Sequence, residues 1–297
     1  MKAGSVRFLA TVAAVVLASG SVEMRAEAAE PAAVSQLDGE TLTLEFIDKA
    51  IAEGRYKSAH DLLARARIRF GGPEVSLREA ELLLAAGSLA EAATAFQLLE
   101  SDPAVGARAQ AGRGITAIRA GHAEAAESLL ADAVARDPSL ARAWSARGVL
   151  ADQRQDWAAA DHHYAQALAA APGSANILSN RGYSRLLRGL YAEAEADFNA
   201  ALAKQPGLKV AATNLQLAKA MQGRYAEAFT GTSRDELARD LNTVGVAAML
   251  RGDHRIAEGY FARAIDMNSR YDKVASDNLA YLKSIAPELK DDDRARP

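Results

Sequence analysis

Residues 141–174 read ARAWSARGVLADQRQDWAAADHHYAQALAAAPGS, and residues 175–208 read ANILSNRGYSRLLRGLYAEAEADFNAALAKQPGL. Set one above the other, the two lines agree at seven places: Trp144 with Leu178, Gly148 with Gly182, Trp157 with Tyr191, Ala160 with Ala194, Tyr164 with Phe198, Ala167 with Ala201, and Pro172 with Pro206. The shift is 34 residues at every place. Agreement in residue class at that many fixed offsets marks one structural unit used twice.

Trp144, Gly148 and Ala151 are spaced by 4 and 3, so they share one face of a helix. Ala160, Tyr164 and Ala167 share a face of the next helix in the same way. The spacing predicts that Gly148 lies opposite Ala160, where the lack of bulk lets two helix axes approach to about 8–10 Å. Tyr164 is then expected to fill the gap toward the next unit. Pro172 has no amide proton and ends the second helix. One such hairpin cannot bury its apolar face alone, whereas stacked neighbours can.

The same frame extends both ways. Residues 107–140 keep Gly114, Gly121, Ala126, Leu130, Ala133 and Pro138; residues 73–106 keep Ala80, Gly87, Ala92 and Phe96. Residues 40–72 keep Gly54, Tyr56 and Ala59, with Ile47 where the small residue is expected. Downstream, Gly223, Tyr225 and Ala228 hold the frame until Thr230-Gly231-Thr232 breaks it. Ser233-Arg234-Asp235-Glu236 has the form of a capping box that starts a new helix. The frame resumes at Ala238 with Leu241, Gly245, Gly252, Ala257, Phe261 and Ala264, so the unit 209–237 is irregular and its second helix is expected to be short. Residues 272–286, with Val274, Leu279, Leu282 and Ile285 on one face, read as a helix capping the last unit, and 287–297 as a disordered tail.

The pattern, counted within each unit as a large residue at 4, Gly at 8, aromatic at 17, Ala at 20, aromatic at 24, Ala at 27 and Pro at 32, resembles the tetratricopeptide repeat (TPR). The resemblance spans Glu40 to Ile285 and implies an all-α TPR solenoid, a right-handed superhelix of about seven helix-turn-helix repeats over 40–271. It also implies that positions 2, 5, 6, 9, 12 and 13 of each first helix line a concave, protein-binding groove. A narrower resemblance rests on Ser179-Asn180-Arg181-Gly182-Tyr183-Ser184, Asn214-Leu215-Gln216-Leu217-Ala218, Gly223-Arg224-Tyr225-Ala226-Glu227-Ala228 and Val246-Ala247-Ala248-Met249-Leu250-Arg251-Gly252-Asp253. These are similar to the TPR proteins of tight-adherence (Flp) pilus assembly, which implies an envelope protein that assists secretin or pilus assembly. Those relatives are typically lipoproteins, and this sequence has no cysteine to carry a lipid.

Residues 1–28 read as a secretory signal peptide: Lys2 and Arg7 at the basic end, the apolar run Phe8–Ala18, and an A-x-A cleavage site at Ala26-Glu27-Ala28. The run is short for a permanent span. Residues 29–39 form a linker, and the exported chain is expected in the periplasm, soluble or peripheral to the outer membrane. The zero cysteine count excludes disulfides, thiol catalysis and cysteine zinc sites. A formal net charge of −3 gives no electrostatic footprint for nucleic acid.

No nucleophile elbow, phosphate loop or H-E-x-x-H motif occurs, so no catalytic residue, metal site or cofactor is expected. His162-His163 is the one histidine pair; adjacent helical positions diverge by about 100°, which suits a solvated pair better than a metal site. Arg113, Arg147 and Arg181 recur at position 7 as packing residues with solvated heads. The groove positions are more informative. They carry Arg108 and Arg142 at position 2, Asn176, Asn180 and Tyr183 in the fifth repeat, Asn214 in the sixth and Asn242 in the seventh. Asparagine offers a donor and an acceptor, so a row of them suits an extended peptide backbone. Glu45, Asp48, Glu74 and Glu81 make the early groove acidic, Arg108 and Arg142 make the middle basic, and Val246, Met249 and Leu250 make the end apolar, a gradient that would orient a peptide.

The sequence therefore supports a non-catalytic interaction scaffold of the bacterial envelope. Its partner would be an extended segment of an envelope assembly component. The alternatives are a general periplasmic holdase and a regulatory subunit of an envelope export system. The lysine–asparagine clamp of chaperone-associated TPR domains is absent, since Ser145, Ser179 and Thr213 hold position 5.

Overall fold

In the computed structural model the described residues are 39–229, 236–267, 273–286 and 289. The signal peptide, the linker up to residue 38, most of the capping box and nearly all of the tail lie outside them. All regular structure among the described residues is helical: α1 (Gly39–Ala52), α2 (Tyr56–Arg69), α3 (Gly72–Ala86), α4 (Leu89–Leu99), α5 (Gly106–Arg119), α6 (Ala123–Arg136), α7 (Ala141–Gln153), α8 (Trp157–Ala170), α9 (Ala175–Leu187), α10 (Tyr191–Lys204), α11 (Lys209–Met221), α12 (Leu237–Arg251), α13 (His254–Met267) and α14 (Lys273–Ile285). Odd-numbered helices up to α11 are the first helix, A, of each repeat and even-numbered ones the second, B; α12 and α14 are also A helices and α13 a B helix. Two compact units divide the chain between Asn180 and Arg181, inside α9.

The turns follow from local chemistry. Pro73 sits in the first turn of α3, where its missing amide proton costs nothing. Asp156 caps α8, its carboxylate accepting from the Ala159 amide at 3.1 Å. Gly252 ends α12 in the left-handed conformation, φ 85°, and its amide reaches back to the last carbonyls of the helix.

In the first unit the core is built from the repeat positions. Ala160, Tyr164 and Ala167 are fully buried, as are Ala126, Leu130 and Ala133 one repeat earlier. The side chain nearest Gly148 is Tyr164 at position 24: a Cβ built on Gly148 would lie 2.8 Å from the Tyr164 ring. Gly114 meets Leu130 in the same way. The Tyr164 hydroxyl then donates to Asp152 Oδ2 at 2.8 Å, so a fully buried phenol is satisfied.

The second unit repeats this rule, with Gly182 under Phe198 and Gly245 under Phe261. Its sixth repeat departs from the regular hairpin. Among the described residues after α11 the next regular element is a 3-10 turn, Glu227–Phe229, and α12 begins at Leu237 with Glu236 at the N-cap. Residues 230–235 are outside the described set. α14 packs Ala275 and Leu282 inward, the latter in the cluster with Phe261 and Met249.

Candidate functional site

In the first unit the inner-face charges pair with one another within and between A helices. Arg78 of α3 donates from Nε and Nη2 to both carboxylate oxygens of Asp48 on α1, each at 3.2 Å, and both side chains are about nine-tenths buried. Arg78 also pairs with Glu74, which in turn holds Arg108 of α5 at 3.1 Å. Arg142 of α7 reaches Glu81 of α3 at 3.1 Å. Burial pushes the Asp48 carboxyl up to about 6 against the pull of Arg78. Burial acts on Glu74 as well, but Arg108 and Arg78 outweigh it and hold that carboxyl below its ordinary value. The expected acidic-to-basic gradient is thus corrected. Glu74 and Arg108 are 34 residues apart and so adjacent in space, and opposite charges that close neutralise each other rather than facing a ligand.

Asn176 is half-buried near the start of α9, and Asn180 is 4% exposed, its amide donating to Ser145 Oγ at 3.2 Å. The expected row of solvent-facing amides is therefore, in this unit, an inter-repeat hydrogen bond. His163 departs from the solvated pair read from the sequence. Its ring lies 5.7 Å from that of Trp144, and its buried Nδ1 has no hydrogen-bond partner. His162 stays exposed at the edge of the same Trp144 ring. Arg147 lies over Trp144 and pairs with Glu127 at 3.0 Å.

In the second unit Tyr183 is buried, at 7% exposure. Asp197 is gripped by Arg181 at 2.6 Å and Arg185 at 2.7 Å. Asn242 is half-buried and accepts from Asn278 Nδ2 of α14 at 2.9 Å. Asn278 is a contact that the sequence reading missed. Its signal was an offset of 36 from Asn242, close to the repeat length of 34. Asn214 is the exception in this row: it is 1% exposed, and neither its Nδ2 nor its Oδ1 has a hydrogen-bond partner. Two unsatisfied groups on one buried amide cost about 1–3 kcal/mol each.

Among the described residues no cluster of acidic or histidine side chains is placed to hold a metal ion, and no helix is long and apolar enough to cross a membrane.

A sequence profile of the tetratricopeptide repeat matches residues 44–105, 112–160 and 150–209, more than half of the chain. The chain belongs to the tetratricopeptide-repeat family, and its fold is that family's all-α solenoid, a protein-interaction scaffold. Among solved structures it is similar to a chain of the APC/C hetero-tetramer Cut9–Hcn1, at 14% identity and a TM-score of 0.62. That match covers 83% of this chain and 49% of the other, so the chain spans about half the length of that relative. A thermophilic TPR protein of Thermus thermophilus is similar at 23% identity and a TM-score of 0.52, over 64% of this chain and 99% of that one. PilW, a type IV pilus biogenesis factor, aligns at 20% identity and a TM-score of 0.47, over 61% of this chain and 91% of that one. At these identities the first two likenesses are ones of fold. No curated protein matches the sequence.

Proposed function

We propose that the chain is a non-catalytic scaffold of the bacterial cell envelope that holds an extended segment of a partner protein against the inner face of its A helices. The observation that carries this reading is Asn214. Other polar groups of the inner face are satisfied within the fold: Asp48, Glu74, Arg78 and Arg108 by one another, Arg142 by Glu81, Asn180 by Ser145, and Asn242 by Asn278. Asn214 alone among them keeps a donor and an acceptor that a peptide backbone would complete. The basic end, apolar run and Ala26-Glu27-Ala28 of the N-terminus support export to the periplasm. The similarity to Flp assembly proteins favours a pilus or secretin component as the partner.

Asn214→Leu tests the site. Leucine has nearly the shape of asparagine and no polar group to leave unpaired, so the variant should melt higher than the parent. A partner recovered by pull-down from envelope extract should nevertheless bind it at least tenfold more weakly, about 1.4 kcal/mol. Titration calorimetry of that partner against both proteins decides. Higher stability with unchanged affinity would mean that the amide is not where the partner binds.

A further inference from the structure

α14 occupies the place of a helix A, as its Asn278–Asn242 bond to the preceding helix A shows. By that register Asp277, Tyr281, Ser284 and Ile285 correspond to Leu241, Gly245, Ala248 and Met249 of α12. The four residues of α12 are buried, packed in part under Phe261 of helix B. Their four counterparts on α14 are exposed, Tyr281 by 47% and Ile285 by 45%. Terminal repeats of a solenoid ordinarily finish in a polar face. Here, among the described residues, the face that helix B covers elsewhere is exposed and carries Tyr281 and Ile285 beside Asp277 and Ser284, and Tyr281 stands where four of the repeats carry glycine at position 8.

At the other terminus of the array α1 has a matching feature. Its outward side carries Leu42, 44% exposed, and Phe46, 54% exposed, four residues apart, followed on the same side by exposed Lys49. Exposed Glu53 follows just beyond the helix.

We propose that two copies of this chain associate head to tail, α1 of one lying antiparallel on α14 of the other in the place of a helix B. Antiparallel is the direction in which each helix B meets its helix A. The side chains agree with that direction. With Phe46 set against Tyr281, Leu42 falls on Ile285, four residues away on each helix. Lys49 falls beside Asp277, and Glu53 beside Lys273. The contact thus joins an aliphatic pair, an aromatic pair and two opposite-charge pairs, the latter exchanging with the exposed Lys273–Asp277 pair of α14 and the Glu53–Arg55 pair after α1. Parallel alignment would instead bring Phe46 and Tyr281 together with Lys49 displaced toward Ile285 and Leu42 toward Asp277, losing the match. The contact is heterologous, since the two surfaces differ. It involves one helix from each copy, which places it among small, concentration-dependent interfaces.

Sedimentation velocity of the full chain over a concentration series tests this. The parent should grow in mass with concentration. Phe46→Glu and Tyr281→Glu should each stay monomeric over the same range, with unchanged helicity because both positions are exposed. Mixed, they should form a one-to-one dimer, since the first keeps α14 intact and the second keeps α1. Lys49→Glu should weaken self-association at least threefold, and combining it with Asp277→Lys should restore it. A parent that is monomeric at every concentration, or glutamate variants that do not pair when mixed, would overturn the proposal. So would self-association of Phe46→Glu alone, which would place α14 against α14 instead.

Discussion

Tyr164 lies over Gly148 so closely that a Cβ on that glycine would sit 2.8 Å from the ring. Phe198 stands in the same relation to Gly182, and Phe261 to Gly245 at 2.7 Å. The glycine at position 8 is therefore half of a pair whose other half is the ring at position 24, and the two helices of a hairpin are held at a separation that this pair sets.

Because the contact is with ring carbons anchored in a closed core, Gly245→Ala should lower stability by about 1–3 kcal/mol through overpacking. Gly259, midway along α13, has nothing within 4 Å of where its Cβ would be and an ordinary helical backbone. Gly259→Ala should therefore stabilise the protein by about 0.5–1 kcal/mol. Thermal melts of the two variants should move in opposite directions. Equal shifts would mean that helix propensity, and not the ring contact, governs both sites.

The repeat frame was legible because the residues that build it are forced ones. Glycine and alanine recur where helices cross, and they recur at one spacing. What pairs with what was less legible. Positions 8, 20 and 24 are all fixed in the pattern, and only the three-dimensional crossing shows that the residue at 24 lies closest over the glycine. Glu74 and Arg108 share position 2 of adjacent repeats, so their ion pair was implicit in the spacing. It stayed hidden while each repeat was read as a block of one charge. The outward side of α14 was hidden for a different reason. Val274 and Ile285 read as the buried side of an amphipathic helix, whereas burial falls on Ala275, Asn278 and Leu282.

The Asp48–Arg78 pair gives a second prediction. Removing one member of a buried ion pair costs about 3–5 kcal/mol, because the remaining charge loses its compensation. Arg78→Met leaves Asp48, Glu74 and Glu81 facing one another, so it should be severe. Asp48→Asn should be mild. Burial has already pushed the Asp48 carboxyl up to about 6, close to the point of neutralisation, and the amide oxygen still accepts from Arg78. Chemical denaturation of the two variants near pH 7 should show the arginine replacement as the larger loss. The reverse order would mean that Asp48 carries the network.

His163 gives a prediction in pH. Burial, and then the neighbouring charges of Arg147 and His162, lower its pKa from 6.5 to about 4, with Glu127 and Asp156 pulling weakly the other way. Between about 4 and 6.5 the unfolded chain therefore holds a proton on this imidazole that the folded chain does not. Stability depends on pH with the sign of that difference. The His163 contribution is complete above pH 6.5 and is lost as pH falls toward 4. Asp48 acts oppositely, since its folded pKa lies above its ordinary value of 3.8 and the folded chain gains its proton first as pH falls through about 6. The whole-protein melting temperature mixes the two, so a difference measurement is needed. His163→Phe keeps a ring beside Trp144 and removes the titrating nitrogen. Between about pH 7.5 and 4.5, a range that brackets the unfolded imidazole's titration, the parent should lose more melting temperature than this variant does. Equal losses would show that His163 is protonated without cost in the folded chain and that its unpartnered Nδ1 is reached by solvent.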